Sequence, residues 1–441
     1  MKIKSIYCFL SALLTIPFFG YSQPCTNGRY ATDVFANVSL TSNITYGANA
    51  SFSGANTSLK LDFYSPTGDT EPNRPLIIWV HGGSFLGGSK TDVDVQSLSQ
   101  RFAKKGFVCA SIDYRVGFFP IDSANAVKAV VRAVQDLKAA IRFFYKDKQT
   151  TDTYKIDTTR IFIGGSSAGA ITALHAAYLN DTCEISDYLS PAVILQLGNI
   201  EGNSGNAGFS TDVKAVINLC GALARYSWLE TSNIPMCSMH GTSDGTVKYN
   251  RGIVNPGTPL MYLDGSRLLH ERACAVNVQS NFYTFSGAGH CPYLGTNATA
   301  LAYMDTTEHF VRDFLVQQLG CNESPLQLPN APLQAAILYP AYYCNGTMVN
   351  ETCLANLNSM DKDDFSVKVF PNPVGNELSI FNEEFDIANV KINDLMGRIA
   401  IEQSFDAKAI KIDCSRLTKG TYYVTYTFEN GLSGNLKVIH Y

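Results

Sequence analysis

Residues 160–179, RIFIGGSSAGAITALHAAYL, hold the pattern Gly-x-Ser-x-Gly in one register only: Gly165, Ser166, Ser167, Ala168, Gly169. An apolar run precedes it at 161–163 and helix formers follow from 170, so Ser167 stands at a strand-to-helix turn. Such a turn holds a serine hydroxyl above a sheet, in position to attack a carbonyl carbon. The competing reading is a plain glycine turn. A serine hydroxyl is a weak nucleophile alone and needs a base, with an acid to orient that base. In this architecture the partners follow in the order Ser, Asp/Glu, His, each in a loop after a later strand. Asp244 in IPMCSMHGTSDGTVKY and His290 in FYTFSGAGHCPY meet that order, both in glycine turns after apolar runs. His240 reads as structural support beside Asp244. His175, His270 and His309 fall inside helical runs, and His440 lies far from the rest.

A tetrahedral intermediate needs donors for its oxyanion. In WVHGGSF two glycines follow a strand, and the expected donors are the N–H groups of Gly83 and Ser84 with that of Ala168, the residue after the nucleophile. Phe85, Trp228 and Tyr293 are candidates to line a substrate pocket, as are Phe118 and Phe119; the alternative for each is the core. GGSSAG lacks the glycine spacing of a dinucleotide site, and no Gly-Lys-Ser/Thr occurs. With no CxxC and no His-x-x-x-His, no metal site is expected, and the chemistry requires no cofactor.

The elements that must position these groups alternate. From about residue 74, continuous apolar strands (RPLIIWV, FVCASI, RIFIGG, KAVINLCGAL, IPMCSMHG, NFYTFSG) interleave with amphipathic helices. This predicts an α/β fold, a mostly parallel sheet flanked by helices. After a Pro- and Asn-rich stretch, short alternating runs broken by Gly, Asn and Pro predict a small C-terminal antiparallel β-sandwich. The expected division is a signal peptide at 1–22, a catalytic domain at 23–320, a linker at 321–364 and the sandwich at 365–441.

The chain has 441 residues, 46% hydrophobic and 16% charged, with a net charge of −4. The slight negative balance gives no electrostatic case for nucleic acid. Lys2 and Lys4 precede an apolar run that ends in small and polar residues near Ser22, the pattern of a secretory signal. The run is shorter than a membrane-spanning helix requires, so no transmembrane segment is expected in the mature protein. Of twelve cysteines, eleven lie beyond Cys8. In an oxidising compartment several of Cys25, Cys183, Cys220, Cys237, Cys274, Cys291, Cys321, Cys344 and Cys353 are expected to pair, Cys344 with Cys353 being a plausible local bridge. Cys109 reads as a buried small residue.

LKLDFYSP, RPLIIWVHGGSF, SIDYR, VQDLKAAIRFF, KIDTTRIFIGGSSAGA, HGTSDGTVKY and GAGH together resemble the carboxylesterase-type α/β-hydrolases with an HGG oxyanion motif, in particular bacterial acetyl and feruloyl esterases. The resemblance spans roughly residues 59–319. It implies ester hydrolysis through Ser167, Asp244 and His290. Two departures stand out: HGGS where some relatives carry a third glycine, and a long 181–212 segment that could cover the site. Some tannases and feruloyl esterases join cysteines flanking Ser and His; here Cys291 follows His290, but Ser166 precedes Ser167. The C-terminal region VKVFPNPVGNELSI through TYYVTY is similar to the sorting domain of the type IX secretion system of Bacteroidota. That implies a secreted or cell-surface protein, the export machinery as partner, and an ester or acylated carbohydrate as substrate. The alternatives are a serine peptidase of the prolyl-oligopeptidase kind, a non-catalytic surface binding protein on a hydrolase scaffold, and an immunoglobulin-like module at the C-terminus.

Overall fold

The computed structural model describes residues 25–321, 342–343, 347–349, 367–382, 385–394, 398–429 and 433–441. The expected signal peptide and a Cys344–Cys353 bridge lie outside the described residues. The first region runs β1 (Val38–Ala50), β2 (Asn56–Pro66), β3 (Arg74–Val80), α1 (Val93–Lys104), β4 (Val108–Ile112), α2 (Ser123–Gln149), β5 (Ile156–Ser166), α3 (Ala168–Tyr178), α4 (Pro191–Leu197), β6 (Ala215–Leu219), β7 (Ala222–Leu223), β8 (Met236–Gly241), β9 (Arg251–Ile253), β10 (Tyr262–Gly265), α5 (Ser266–Ala275), β11 (Ser280–Phe285) and α6 (Ala298–Gln318).

Eight strands form one sheet in the order β1-β2-β4-β3-β5-β6-β8-β11. β1, β2 and β4 pair antiparallel, and from β4 onward every pairing is parallel. All residues of β3, β4, β6 and β8 are buried, because helices cover both faces of a parallel sheet and leave no side for polar residues. The chain leaves β3 for β4 on one side and returns to β5 on the other. Loops after β3 and β5 therefore diverge and open a crevice at the carboxyl ends of the strands.

Three local features depart from the sequence reading. The hairpin β1–β2 extends the sheet before residue 74; β1 is largely exposed, so its apolar signal is weak. KAVINLCGAL is not one strand. It breaks at Cys220, whose φ is +53°, and β7 joins β10 and β9 in a separate small sheet. Within the expected linker, Tyr343 accepts a hydrogen bond from Arg272 and Val349 is buried in the core of the first region.

Inside the domain, Arg115 lies buried against Asp136 of α2, 2.8 Å away, and also reaches Gln135, Ser204 and two carbonyls. An unpaired guanidinium there would cost several kcal/mol, so the site is stable only because every partner is present. Ser204 ties the second half of the 181–212 segment to α2, and Glu201 pairs with Lys138 and Arg142. A disulfide joins Cys25 to Cys321, and Cys183 and Cys274 are also disulfide-bonded. Cys109 and Cys237 are buried free thiols, so Cys237 does not join the disulfides.

The C-terminal region contains β12 (Lys368–Phe370), β13 (Glu377–Phe381), β14 (Ile387–Asp394), β15 (Ile399–Ala407), β16 (Ala409–Asp413), β17 (Gly420–Phe428) and β18 (Ser433–His440). They make two antiparallel sheets, β12-β13-β16 and β15-β14-β17-β18. Alternate residues of each strand, including Leu378, Ile380, Val390, Ile392, Val424, Tyr426 and Phe428, fill a core of their own. Among the described residues, no helix is long and apolar enough to cross a membrane.

Candidate active site

β5 ends at Ser166, and Ser167 occupies φ +54° and ψ −116°, a strained conformation for a residue with a side chain. The turn is held by the Ser167 N–H donating to Leu219 O at 2.9 Å. It also requires glycine on both sides: a Cβ on Gly165 or Gly169 would run into Val80 O of the neighbouring strand. The motif is thus a packing requirement as much as a chemical one.

His290, in the loop after β11, bridges the serine and an acid. Its Nε2 lies 2.8 Å from Ser167 Oγ, and its Nδ1 lies 2.6 Å from Asp244 Oδ2. Asp244 follows β8 and is almost fully buried. Oδ1 accepts the backbone N–H groups of Thr246 at 2.8 Å and Val247 at 2.9 Å. Oδ2 also faces His240 Nε2 at 3.2 Å. Burial pushes the Asp244 carboxyl up, but hydrogen bonds from His240 and His290 outweigh it and hold the group well below the ordinary carboxylate range. The anion fixes the His290 tautomer with Nδ1–H toward the acid, which leaves the Nε2 lone pair facing the serine hydroxyl. His240 itself is pinned by Ser266 Oγ at 2.7 Å and Val247 O at 2.9 Å, a supporting position beside Asp244.

The loop after β3 approaches from the other side. A Cβ on Gly82 would stand 3.6 Å from Ser167 Cβ. Gly83, Ser84 and Phe85 have φ of +102°, +56° and +60°, three successive left-handed residues. Leu86 N–H and Gly87 N–H donate to Gly83 O and close the turn. Ala168 opens α3, so its N–H has no intrahelical partner and meets the positive end of the helix dipole. His81, which the sequence reading passed over, props this loop. Its Nδ1 lies 2.7 Å from Gly82 O, its ring stacks on Tyr114 at 4.3 Å, and burial pushes its pKa down.

These groups open onto a cavity lined by Ser84, Phe85, Ser167, Ala168, Trp228 and mostly aliphatic side chains. Ala168, Ile171 and His175, on one face of α3, form one wall running away from Ser167, with Leu179 just past the helix end. The 181–212 segment contributes Ile185 and Tyr188 from its first half. Phe85, Phe118 and Trp228 line the cavity; Phe119 is 78% exposed and does not. Tyr293 must be corrected. It is buried beneath the Ser167 turn, with its hydroxyl donating to Ser166 Oγ at 3.0 Å and 3.2 Å from Cys220 Sγ, so it supports the turn and does not line the cavity. His175, read as an ordinary helical residue, is in the cavity wall.

Cys291, next to His290, forms a disulfide with Cys220 at the end of β6. Both residues have positive φ, +43° and +53°. The bridge thus joins the histidine loop to the segment that receives the Ser167 N–H. The Cys220, His290 and Cys291 ligand atoms lie close enough for a metal, but both sulfurs are oxidised in the bridge and His290 faces the serine. Asp386, Asp406 and Glu429 form a second close set, in the sandwich and partly exposed.

Residues 61–228 match the BD-FAE family model, which takes in the loop after β3, the nucleophile turn and Trp228. This segment is a BD-FAE domain, an α/β-hydrolase of the esterase type. Residues 368–440 match the secretion system C-terminal sorting domain. The chain is similar to gut esterase 1 of Caenorhabditis elegans, at 27% identity over 129 residues, 29% of this chain and 22% of that protein. It is also similar to carboxylesterase 3B of Mus musculus, at 32% identity over 115 residues, 26% of this chain and 19% of that one. The chain thus spans about a fifth of the length of these curated relatives. Among solved structures, Thermogutta terrifontis esterase 2 phosphorylated by paraoxon aligns with a TM-score of 0.48 and 21% identity, over 66% of this chain and 97% of that one. The fold is the one expected from the sequence, a mostly parallel hydrolase sheet with an antiparallel C-terminal region.

Proposed function

We propose that the protein is a secreted serine carboxylic ester hydrolase working through an acyl-enzyme. Ser167 attacks the ester carbonyl while His290 Nε2 takes its proton and Asp244 stabilises the imidazolium. The developing oxyanion lies among the N–H groups of Gly83, Ser84 and Ala168. His290 then returns the proton to the leaving alcohol, and a water deprotonated by His290 releases the acid. The observation that carries this reading is the continuous hydrogen-bonded line Asp244–His290–Ser167, with the serine at the mouth of an apolar cavity.

The cavity's aliphatic walls favour an ester arm of alkyl or aryl character. Phe85 and Trp228 are its aromatic contacts. The C-terminal sorting domain supports export to the cell surface or medium, with the domain division 23–320 and 365–441 and the secretion machinery as partner. Small esters or acylated carbohydrates are the substrate class that fits such a location. The test is to treat the protein and its Ser167→Ala variant with a fluorophosphonate, map the adduct, and follow hydrolysis of acetyl, butyryl and aryl-acyl esters beside peptide amides. An adduct on Ser167 with ester turnover abolished in the variant is expected. A folded protein with neither adduct nor turnover overturns the proposal, and turnover of amides alone makes it a peptidase.

A further inference from the structure

Ser166, the neighbour of Ser167 in the chain, turns the other way. Ser167 faces His290 and the cavity, whereas Ser166 is 1% exposed and its Oγ accepts a hydrogen bond from the Tyr293 hydroxyl at 3.0 Å. Burial pushes the Tyr293 phenol well above its ordinary range, so it keeps the proton that it donates. A hydroxyl that has accepted still has its own O–H to give. Ser166 gives it to the carboxylate of Asp94, the second residue of α1.

Asp94 is a buried acid that the reaction proposed above does not use. It is 3% exposed, and among the described residues it forms no ion pair. Burial pushes its pKa up, opposed first by the hydrogen bond from Ser166 and then by the backbone N–H of Val95. An interior carboxylate without a cation is costly and persists only where donors and a helix N-terminus compensate it. Asp94 stands in the first turn of α1, and its charge also reaches His81 and Tyr114, the stacked pair beside the loop after β3.

Three segments thus meet at one hydroxyl. Tyr293 lies three residues after His290, Ser166 directly before Ser167, and Asp94 just beyond the loop that carries Gly83 and Ser84. The line Tyr293–Ser166–Asp94 ties from below the segments that Asp244–His290–Ser167 brings together above. The strained backbone of Ser167, at φ +54°, persists only because its surroundings over-determine it.

We propose that Asp94 is a positioning residue: through Ser166 and Tyr293 it fixes the Ser167 hydroxyl against His290 Nε2 without touching substrate. This rests on the ester-hydrolase reading above. None of the three side chains lines the cavity, so loosening them should lower kcat and leave KM alone.

Substitutions in the full chain that each remove one link test it. Tyr293→Phe and Ser166→Ala should each lower kcat for a chromogenic butyrate ester about tenfold, with KM nearly unchanged and fluorophosphonate labelling of Ser167 slowed in step. In the double variant about tenfold is expected again, whereas independent contacts would multiply to about a hundredfold. Asp94→Leu, which fills the space without an acceptor, should match the single variants, with Asp94→Ala as its second form. Asp94→Asn keeps an oxygen to accept from Ser166 and should recover most of the loss. A parental kcat in Tyr293→Phe, Ser166→Ala or Asp94→Leu overturns the proposal even where the melting temperature falls, since the line then only stabilises. So does an approximately hundredfold loss in the double variant, or an Asp94→Asn as slow as Asp94→Leu. If the parent takes no fluorophosphonate on Ser167 and hydrolyses no butyrate, the ester-hydrolase reading itself has failed. If it does both and the variants match it, only the role of Asp94 falls.

Discussion

Asp244→Asn is the sharpest perturbation of the relay, because the structure dictates which way the new amide must turn. Asp244 Oδ1 accepts two backbone N–H groups, from Thr246 and Val247, so the amide oxygen must stay there. The NH₂ group then takes the Oδ2 position, where it meets the Nδ1 of His290 at 2.6 Å and the Nε2 of His240 at 3.2 Å. Two donors cannot share a hydrogen bond, so His290 must shift its proton to Nε2 and present N–H, not a lone pair, to Ser167. The base is lost with the fold intact. Trapping the wrong tautomer in a serine–histidine–acid site costs about 10⁴ in kcat, close to 5.5 kcal/mol of barrier. Steady-state hydrolysis of a chromogenic butyrate ester measures it, beside the rate of fluorophosphonate labelling and a thermal melt. KM should move little, since Asp244 does not line the cavity. A variant that melts like the parent and keeps more than about a tenth of its kcat refutes the role given to Asp244.

Two further outcomes follow from features beside the relay. Replacing Cys220 and Cys291 together by alanine frees the histidine loop; kcat should fall about tenfold with KM nearly unchanged, and an unchanged kcat would mean the bridge stabilises without positioning. Glu184 is pushed up to about 7 by burial, against two backbone hydrogen bonds that lower it. Its folded pKa exceeds the unfolded value near 4.5, so ionisation penalises the folded state and stability is lost as pH rises from about 4.5 to 7. Glu184→Gln should flatten the pH dependence of Tm across that window, and an unchanged slope there would show that the carboxyl does not titrate as described.

The meeting of Ser167, His290 and Asp244 was more legible in the sequence than the cavity beside them. Ser167 could be read because sterics force small residues around it: Gly165 and Gly169 sit against Val80 O, so the pattern survives in one dimension. Asp244 and His290 were legible from chain order, since loops after successive strands converge at one sheet edge. The cavity wall was not. Ile171 and His175 are four apart on α3, a spacing that equally describes a buried helix face, and only the tertiary fold says which face meets a cavity. Tyr293 went wrong for the same reason, as an aromatic near a catalytic loop packs beneath it as readily as above it. β7, β9 and β10 are too short to leave a period. The Cys220–Cys291 bridge spans 71 residues, and which cysteines pair is a property of three-dimensional proximity.

The bond between Cys25 and Cys321 closes nearly the whole hydrolase domain into a covalent ring. Tension applied through the C-terminal region reaches the ring at Cys321 and passes to Cys25 without being borne by the strands between them. A protease that nicks one surface loop opens the ring but does not divide it, and the two flanks of the cut stay on one molecule. Even with the C-terminal region removed beyond Cys321, Asp244, His290 and Ser167 would stay on a single covalent body after an internal cut.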